Sequence, residues 1–270
     1  MTDVVFNRTQ INGVPATIED LRMVALLNYG HFTSMQVRAG RVRGLDLHFA
    51  RLARATAELF GHPLDVESTR GYLRKIVGND SRALSLRVNI FSRALQRDRL
   101  TIAAIPDVLV STSVARDTAP LPVRVKSMRY QRETPHLKHV GTFGLFHQRR
   151  IAQAAGFDDA LFVDASGAIS EGSIWNVGFF DGAGVVWPNA RALEGVSMQL
   201  LKAGMQARGI ASITRRVELT EIAAFDGAFF TSSSFAVLPI AGIDNVEYAL
   251  DPGRFVKLDA CMELAPWQRL

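Results

Sequence analysis

Lys138 stands in the run Thr134-Pro135-His136-Leu137-Lys138-His139, a mostly apolar stretch just ahead of a helix-like segment. A lysine that loses part of its hydration has a lowered pKa and condenses with a carbonyl to form a Schiff base. Two other segments suit an anion. In Ala192-Leu193-Glu194-Gly195-Val196-Ser197-Met198 a glycine precedes a hydroxyl residue at a helix start. Free backbone amides and the helix dipole make such a start a seat for phosphate. Taken alone, Ser197 reads more readily as an ordinary N-cap. Thr231-Ser232-Ser233-Ser234 follows the apolar strand Ala228 to Phe230. Hydroxyls gathered at a strand end hold a phosphate or a carboxylate, or simply form a polar turn.

Other chemistries find little support. The chain has no Gly-x-Gly-x-x-Gly, no Gly-Lys-Ser/Thr phosphate loop and no Gly-x-Ser-x-Gly elbow. His136, His139 and His147 lack paired cysteines or a neighbouring carboxylate, so no metal site is expected. The single cysteine, Cys261, reads as a small packed side chain and excludes an intrachain disulfide. Hydrophobic residues make up 48% of the 270 and charged residues 21%, which excludes a disordered or collagen-like chain. The net charge of +5 is spread thinly, with Arg149-Arg150 and Arg215-Arg216 as its densest clusters. A small anionic ligand is therefore expected, and no nucleic acid. The window Ile222 to Pro239 carries Asp226, Gly227 and four hydroxyl residues, and reads as strand and turn rather than a membrane span. Met1 to Val5 has neither a basic nor an apolar leader pattern, so a soluble cytoplasmic protein is expected, with no membrane partner.

The elements that must position these residues are legible in outline. Asn12-Gly13 between short apolar segments signals a two-residue hairpin. His31 to Arg38 reads as a strand. Asp46 caps a helix that carries Phe49, Leu52 and Phe60 at helical spacing and stops at Gly61. A second helix runs from Asp65 to Gly78. Leu84, Leu86, Val88 and Ile90 alternate with polar residues as a half-buried strand. Strands are expected at Leu100 to Ile105, Val108 to Val114, Val123 to Met128, Ile213 to Leu219 and Ala228 to Thr231. Helices are expected from Gly141 to Ala155 and from Ser197 to Arg208, with a hairpin-like run through Ala160 to Asp164 and Trp175 to Phe180. The mixture, without regular βαβ alternation, predicts an α+β fold in two units. Ala115 to Pro122, with two prolines, is the candidate linker.

Taken in order, these segments resemble the class IV pyridoxal-phosphate aminotransferases. The resemblance is carried by Lys138-His139-Val140-Gly141-Thr142-Phe143, by Ala155 to Gly167 and by Ser170-Glu171-Gly172-Ser173-Ile174-Trp175-Asn176. It extends to the Asn12-Gly13 hairpin, His48-Phe49-Ala50-Arg51-Leu52, Gly195-Val196-Ser197, and Phe229 to Ser234 with Pro239. That family includes branched-chain and D-amino-acid aminotransferases, (R)-selective amine transaminases and aminodeoxychorismate lyase. The resemblance implies fold type IV: a small N-terminal α/β domain over 1–107, an interdomain loop over 108–121, and a larger pseudo-barrel cofactor domain over 122–270.

The same resemblance implies the chemistry. Lys138 is the catalytic residue that holds pyridoxal 5'-phosphate as a Schiff base and shuttles a proton. Glu171 faces the pyridine nitrogen. Arg51, Val196, Ser197 and Ser233 hold the phosphate, and Phe32, Met35, Phe143 and Ser234 line the substrate pocket. The expected reaction moves an amino group between a small amino donor, an amine or amino acid, and a 2-oxo acid acceptor, in a homodimer. Two alternatives stand beside it: a lyase of the aminodeoxychorismate type that releases pyruvate, and a non-catalytic cofactor-binding protein. Phe143 replaces the tyrosine that many of these aminotransferases carry five residues after the lysine, and Met198 an arginine often found after the phosphate turn. Phe32-Thr33-Ser34, with Gln36, departs from the usual Phe-Glu pattern. Phe32-Thr33-Ser34, Lys138-His139 and the 33-residue step to Glu171 resemble the lyase branch.

Overall fold

The computed structural model describes residues 8–115, 121–182 and 184–270. It divides into two compact units: Met1–Asp117 with Leu137–Gly141 and Pro266–Leu270, and Thr118–His136 with Thr142–Ala265. Two short segments thus leave the span expected for the larger domain and join the first unit. One of them carries Lys138.

The first unit comprises β1 (Thr9–Ile11), β2 (Val14–Pro15), α1 (Ile18–Leu26), β3 (His31–Val37), β4 (Arg41–Arg43), α2 (Leu45–Phe60), α3 (Val66–Val77), β5 (Leu84–Phe91) and β6 (Asp107–Val114). Asn12 and Gly13 take φ of 50° and 76°, the left-handed pair that closes a tight hairpin between β1 and β2. Among the described residues the sheet has five strands, ordered β2-β1-β6-β5-β3 and antiparallel throughout. β3 is its edge. Alternation separates the two faces: His31, Thr33, Met35 and Val37 share one side with Leu84, Leu86, Val88 and Ile90. That side is closed by Phe49 and Leu52 of α2 and by Leu73 and Ile76 of α3. Phe32, Ser34 and Gln36 share the other side with Ser85, Arg87 and Asn89.

Three local expectations are corrected here. Gly44, in the left-handed conformation, is the N-cap of α2, and Asp46 lies in its first turn. Leu100 to Ile105 is irregular: Ile102 N–H closes a turn onto Arg99 O, and Leu100, Ile102 and Ile105 point outward, so no sheet face recruits them. Residues 108–114 form the expected strand, as β6, and pair with β5 along its length, so they are not part of the interdomain loop that the resemblance implies. Of that loop, residues 116–120 lie outside the described residues.

The second unit continues with β7 (Val123–Arg129), α4 (Phe143–Ala154), β8 (Asp159–Val163), β9 (Ile169–Gly172), β10 (Asn176–Asp181), β11 (Gly184–Pro188), α5 (Val196–Ala207), β12 (Ser212–Arg215), β13 (Gly227–Thr231), β14 (Leu238–Ile243), β15 (Val246–Glu247) and α6 (Pro252–Glu263). β16 (Trp267–Arg269) returns to pair with β4 in the first unit. The expected strand to Leu219 stops early, because Glu218 and Glu221 form a reciprocal capping box that starts a 3-10 turn at Leu219–Ala224. Among the described residues the sheet of this unit has nine strands, along β12-β11-β10-β13-β14-β7-β8-β9 with β15 beside β14. It curls, since its terminal strand β9 also packs against β10 and β11. Phe179, Phe230 and Ile240 fill its interior. Among the described residues no helix is long and apolar enough to cross a membrane.

Candidate active site

The Lys138 backbone is anchored to the sheet of the first unit. Phe32 N–H donates to Lys138 O at 2.8 Å, Val140 N–H donates to Gly30 O at 2.9 Å, and His31 bridges His139. The returning segment thereby extends the sheet beyond edge strand β3. Gly30 makes the close approach of β3 to β5 feasible. Its φ is +156°, and a Cβ there would meet Ile90 O at 2.4 Å. Lys138 Nζ lies 4.9 Å from the centroid of the Phe32 ring. The Arg87 guanidinium packs on the same ring at 3.6 Å and donates to Asn89 Oδ1 at 2.9 Å. Nothing local in the sequence marks Arg87. It is found only through the strand pairing that sets Arg87 opposite Ser34.

On the helix-covered side of β3, Arg51 Nη2 donates to Thr33 Oγ1 at 2.6 Å, and Thr33 Oγ1 is 2.7 Å from His48 Nδ1. All three residues are buried. His48 and Arg51 sit one turn apart on α2 and so point the same way. Burial, with the Arg51 and Lys138 charges, pushes the His48 imidazole down to about 3. His31 is pushed down to about 4, by burial and then by Arg51. Its Nε2 lies 3.0 Å from Thr56 Oγ1, whose own hydrogen goes to Leu52 O, so His31 is the donor. Met35 does not share Phe32's surroundings. The two residues have opposite parity on one strand, and Met35, 1% exposed, is packed into the core. The expectation that both line one pocket is corrected on that ground.

In the second unit a connected set of contacts runs from a carboxylate to a helix start. Glu171 on β9 is buried and its Oε2 accepts from Leu193 N–H at 3.3 Å. Leu193 O accepts from Asn176 Nδ2 at 2.7 Å. A Cβ on Gly195 would meet Asn176 Oδ1 at 2.1 Å, so a larger residue before α5 must displace the Asn176 side chain. No side chain caps α5, and the Ser197 hydroxyl turns back to Ser232 O at 2.8 Å. The backbone amides of Val196 and Ser197 stand at that uncapped first turn. Thr231 Oγ1, across the β10–β13 ladder from Asn176, is buried with no hydrogen-bond partner among the described residues. The adjoining turn is tied by Ser232 Oγ, which accepts from Ser234 and Phe235 N–H. Ser233 is half-buried within it, whereas Ser234 is exposed. Phe143 opens α4, 79% exposed, and stacks on His147 at 5.4 Å.

Arg132 and Tyr130, which sequence reasoning passed over, belong with Glu171. Burial lowers the Arg132 pKa while the Glu171 charge opposes that shift, and Tyr130 feels both charges. Arg132 is only 5% exposed, a burial that its sequence neighbours do not announce.

Residues 30–243 match the family model described as amino-transferase class IV. Among curated proteins, the chain is 26% identical over 241 residues to an aminodeoxychorismate lyase of Bacillus subtilis, covering 84% of this chain and 82% of that protein. Among solved structures, it resembles a branched-chain aminotransferase of Thermoproteus uzoniensis with norvaline, at TM-score 0.83 and 18% identity, over 96% of this chain and 94% of that one. A PLP-bound hypothetical aminotransferase of Mycobacterium tuberculosis matches at TM-score 0.79 and 18% identity, covering 96% and 98%.

Proposed function

The chain belongs to the class IV aminotransferases, and from that premise we propose that Lys138 is its catalytic amine and that Arg51, Glu171, Val196, Ser197 and Ser233 hold its cofactor. The enzyme is a pyridoxal-phosphate-dependent transaminase that moves an amino group between an amino compound and a 2-oxo acid. The family match carries this reading, because it spans every residue given a role.

The residues present fit a phosphorylated pyridine aldehyde. Among the described residues, a helix start without a side-chain cap, a glycine against the Asn176 side chain and a Thr231 hydroxyl without a hydrogen-bond partner form a polar cradle of the kind that takes phosphate. When bound, the cofactor supplies an electron-withdrawing ring that stabilises negative charge at the substrate Cα. Lys138 Nζ would be the amine that holds the cofactor and would move the proton at the substrate Cα. Its backbone anchorage to Phe32 keeps its Cα fixed. Glu171, steadied by Leu193 N–H, holds the proton on the ring nitrogen. Arg51 adds a fixed cation for the phosphate. Arg87, packed on the ring that also touches Lys138, is the proposed anchor for a substrate carboxylate. That role favours amino acids and 2-oxo acids over plain amines as substrates.

The proposed assembly is a cytoplasmic homodimer. Exposed Phe143 and Phe146 on α4 support a second copy, which would remove that apolar surface from water. Phe32, Phe143 and Ser234 remain proposed substrate contacts. A lyase reading draws on the 26% identity to aminodeoxychorismate lyase and on Phe32-Thr33-Ser34. Assaying the purified holoenzyme for amino transfer to pyruvate or 2-oxoglutarate, against pyruvate release from aminodeoxychorismate, decides between them. Amino transfer is the expected outcome, and pyruvate release without transfer contradicts it.

A further inference from the structure

We propose that Thr33 is a positioning residue that aims the Arg51 guanidinium at the cofactor phosphate and is itself oriented by His48. The inference rests on the cofactor assignment above and concerns a position where this chain departs from the Phe-Glu pattern.

An arginine on a helix reaches its target through a long, flexible side chain, and its planar fork binds phosphate well only when its orientation is fixed. Thr33 fixes one corner of that fork, through the 2.6 Å bond from Arg51 Nη2 to Thr33 Oγ1. The position of Oγ1 is set in turn. Its Cα pairs with Val88 in the β3–β5 ladder, and threonine's branched Cβ restricts χ1. Because Oγ1 already accepts from Arg51, its one hydrogen is left to donate, and His48 Nδ1 stands 2.7 Å away. Leaving that buried hydrogen unsatisfied would cost stability, so it points to Nδ1, and the His48 proton resides on Nε2. His48 is held neutral by burial and by the Arg51 and Lys138 charges, so it orients the hydroxyl without adding a charge of its own. Thr33 is 0% exposed and His48 3%, so solvent does not compete for these bonds.

The test compares binding of pyridoxal phosphate with binding of pyridoxal, which has the aldehyde and ring but no phosphate. Apoprotein is titrated with each, and uptake is followed by the absorbance of the lysine-bound chromophore. Thr33→Val keeps the shape and removes the hydroxyl. It should weaken pyridoxal phosphate about tenfold to a hundredfold, the worth of a hydrogen bond to a charged group, and leave pyridoxal unchanged. Thr33→Ser should restore the phosphate preference. Thr33→Ala is read in the same way should the valine variant fold poorly. Unchanged pyridoxal phosphate affinity in the hydroxyl-less variants overturns the inference. So does an equal loss for both ligands, because damage to the fold alone does not select for the phosphate. If the wild-type chain binds neither ligand, the cofactor assignment fails first, before Thr33 is in question.

Discussion

Acidification should unfold the first unit earlier than its carboxylates alone would require, because two of its buried histidines are neutral. The pKa of His31 is lowered to about 4 and that of His48 to about 3, chiefly by burial and then by Arg51, with Lys138 also acting on His48. In the unfolded chain both return to about 6.5. The unfolded state therefore binds protons that the native state refuses. The stability these groups contribute is complete above pH 6.5 and is lost as pH falls toward their folded values. Between pH 7.5 and 5.0 each group costs about 2 kcal/mol, so the pair costs about 4 kcal/mol, a large share of a typical domain's stability. Urea unfolding at fixed protein and cofactor concentration, followed by far-UV circular dichroism at half-unit pH steps, measures this slope. The double variant His31→Gln with His48→Gln should flatten it by about one proton on average across this window, and by nearly two close to pH 5. A double variant with the wild-type slope would refute the assignment of neutral buried imidazoles.

Three further outcomes are expected. Glu171→Gln should lower amino transfer by about two to three orders of magnitude, the usual cost of removing a preorganised electrostatic partner. Its cofactor content should fall far less, as read by absorbance. Gly195→Ala brings a methyl group to 2.1 Å from Asn176 Oδ1. It should cost about 1–3 kcal/mol in urea unfolding and weaken pyridoxal phosphate more than pyridoxal. Arg87→Gln should raise KM for a 2-oxo acid about tenfold to a hundredfold while leaving cofactor uptake intact. An unchanged KM would remove Arg87 from substrate binding.

The elements legible in the sequence are those whose signals are local. α3 begins at Asp65 and ends at Gly78 as its cap residues require, and β5 follows its period-two alternation. α1 escaped notice because none of its residues is buried, so it shows no core-facing stripe. The Thr17–Asp20 capping box was its one local mark. α6 was announced by Asp251 as N-cap, by Pro252 behind it and by Phe255, Leu258 and Met262 at helical spacing. Apolar content misled at Leu100 to Ile105, where exposed side chains imitate a strand. The site divides along the same line. Lys138, Glu171 and the Gly195-Val196-Ser197 turn carry sequence motifs. The contacts of Arg87 with Phe32, and of Thr33 with His48 and Arg51, arise from pairing and packing between distant segments, which no spacing rule reaches. Parity alone, however, separates Phe32 from Met35.

The central claim is that Lys138 is the residue that takes the cofactor. Purified protein incubated with pyridoxal phosphate, reduced with borohydride, digested and analysed by mass spectrometry tests it directly. A pyridoxyl group fixed on Lys138, and absent from a Lys138→Ala variant, is the predicted result. Modification confined to other lysines, or a wild-type protein that stays colourless and unmodified, would contradict the account.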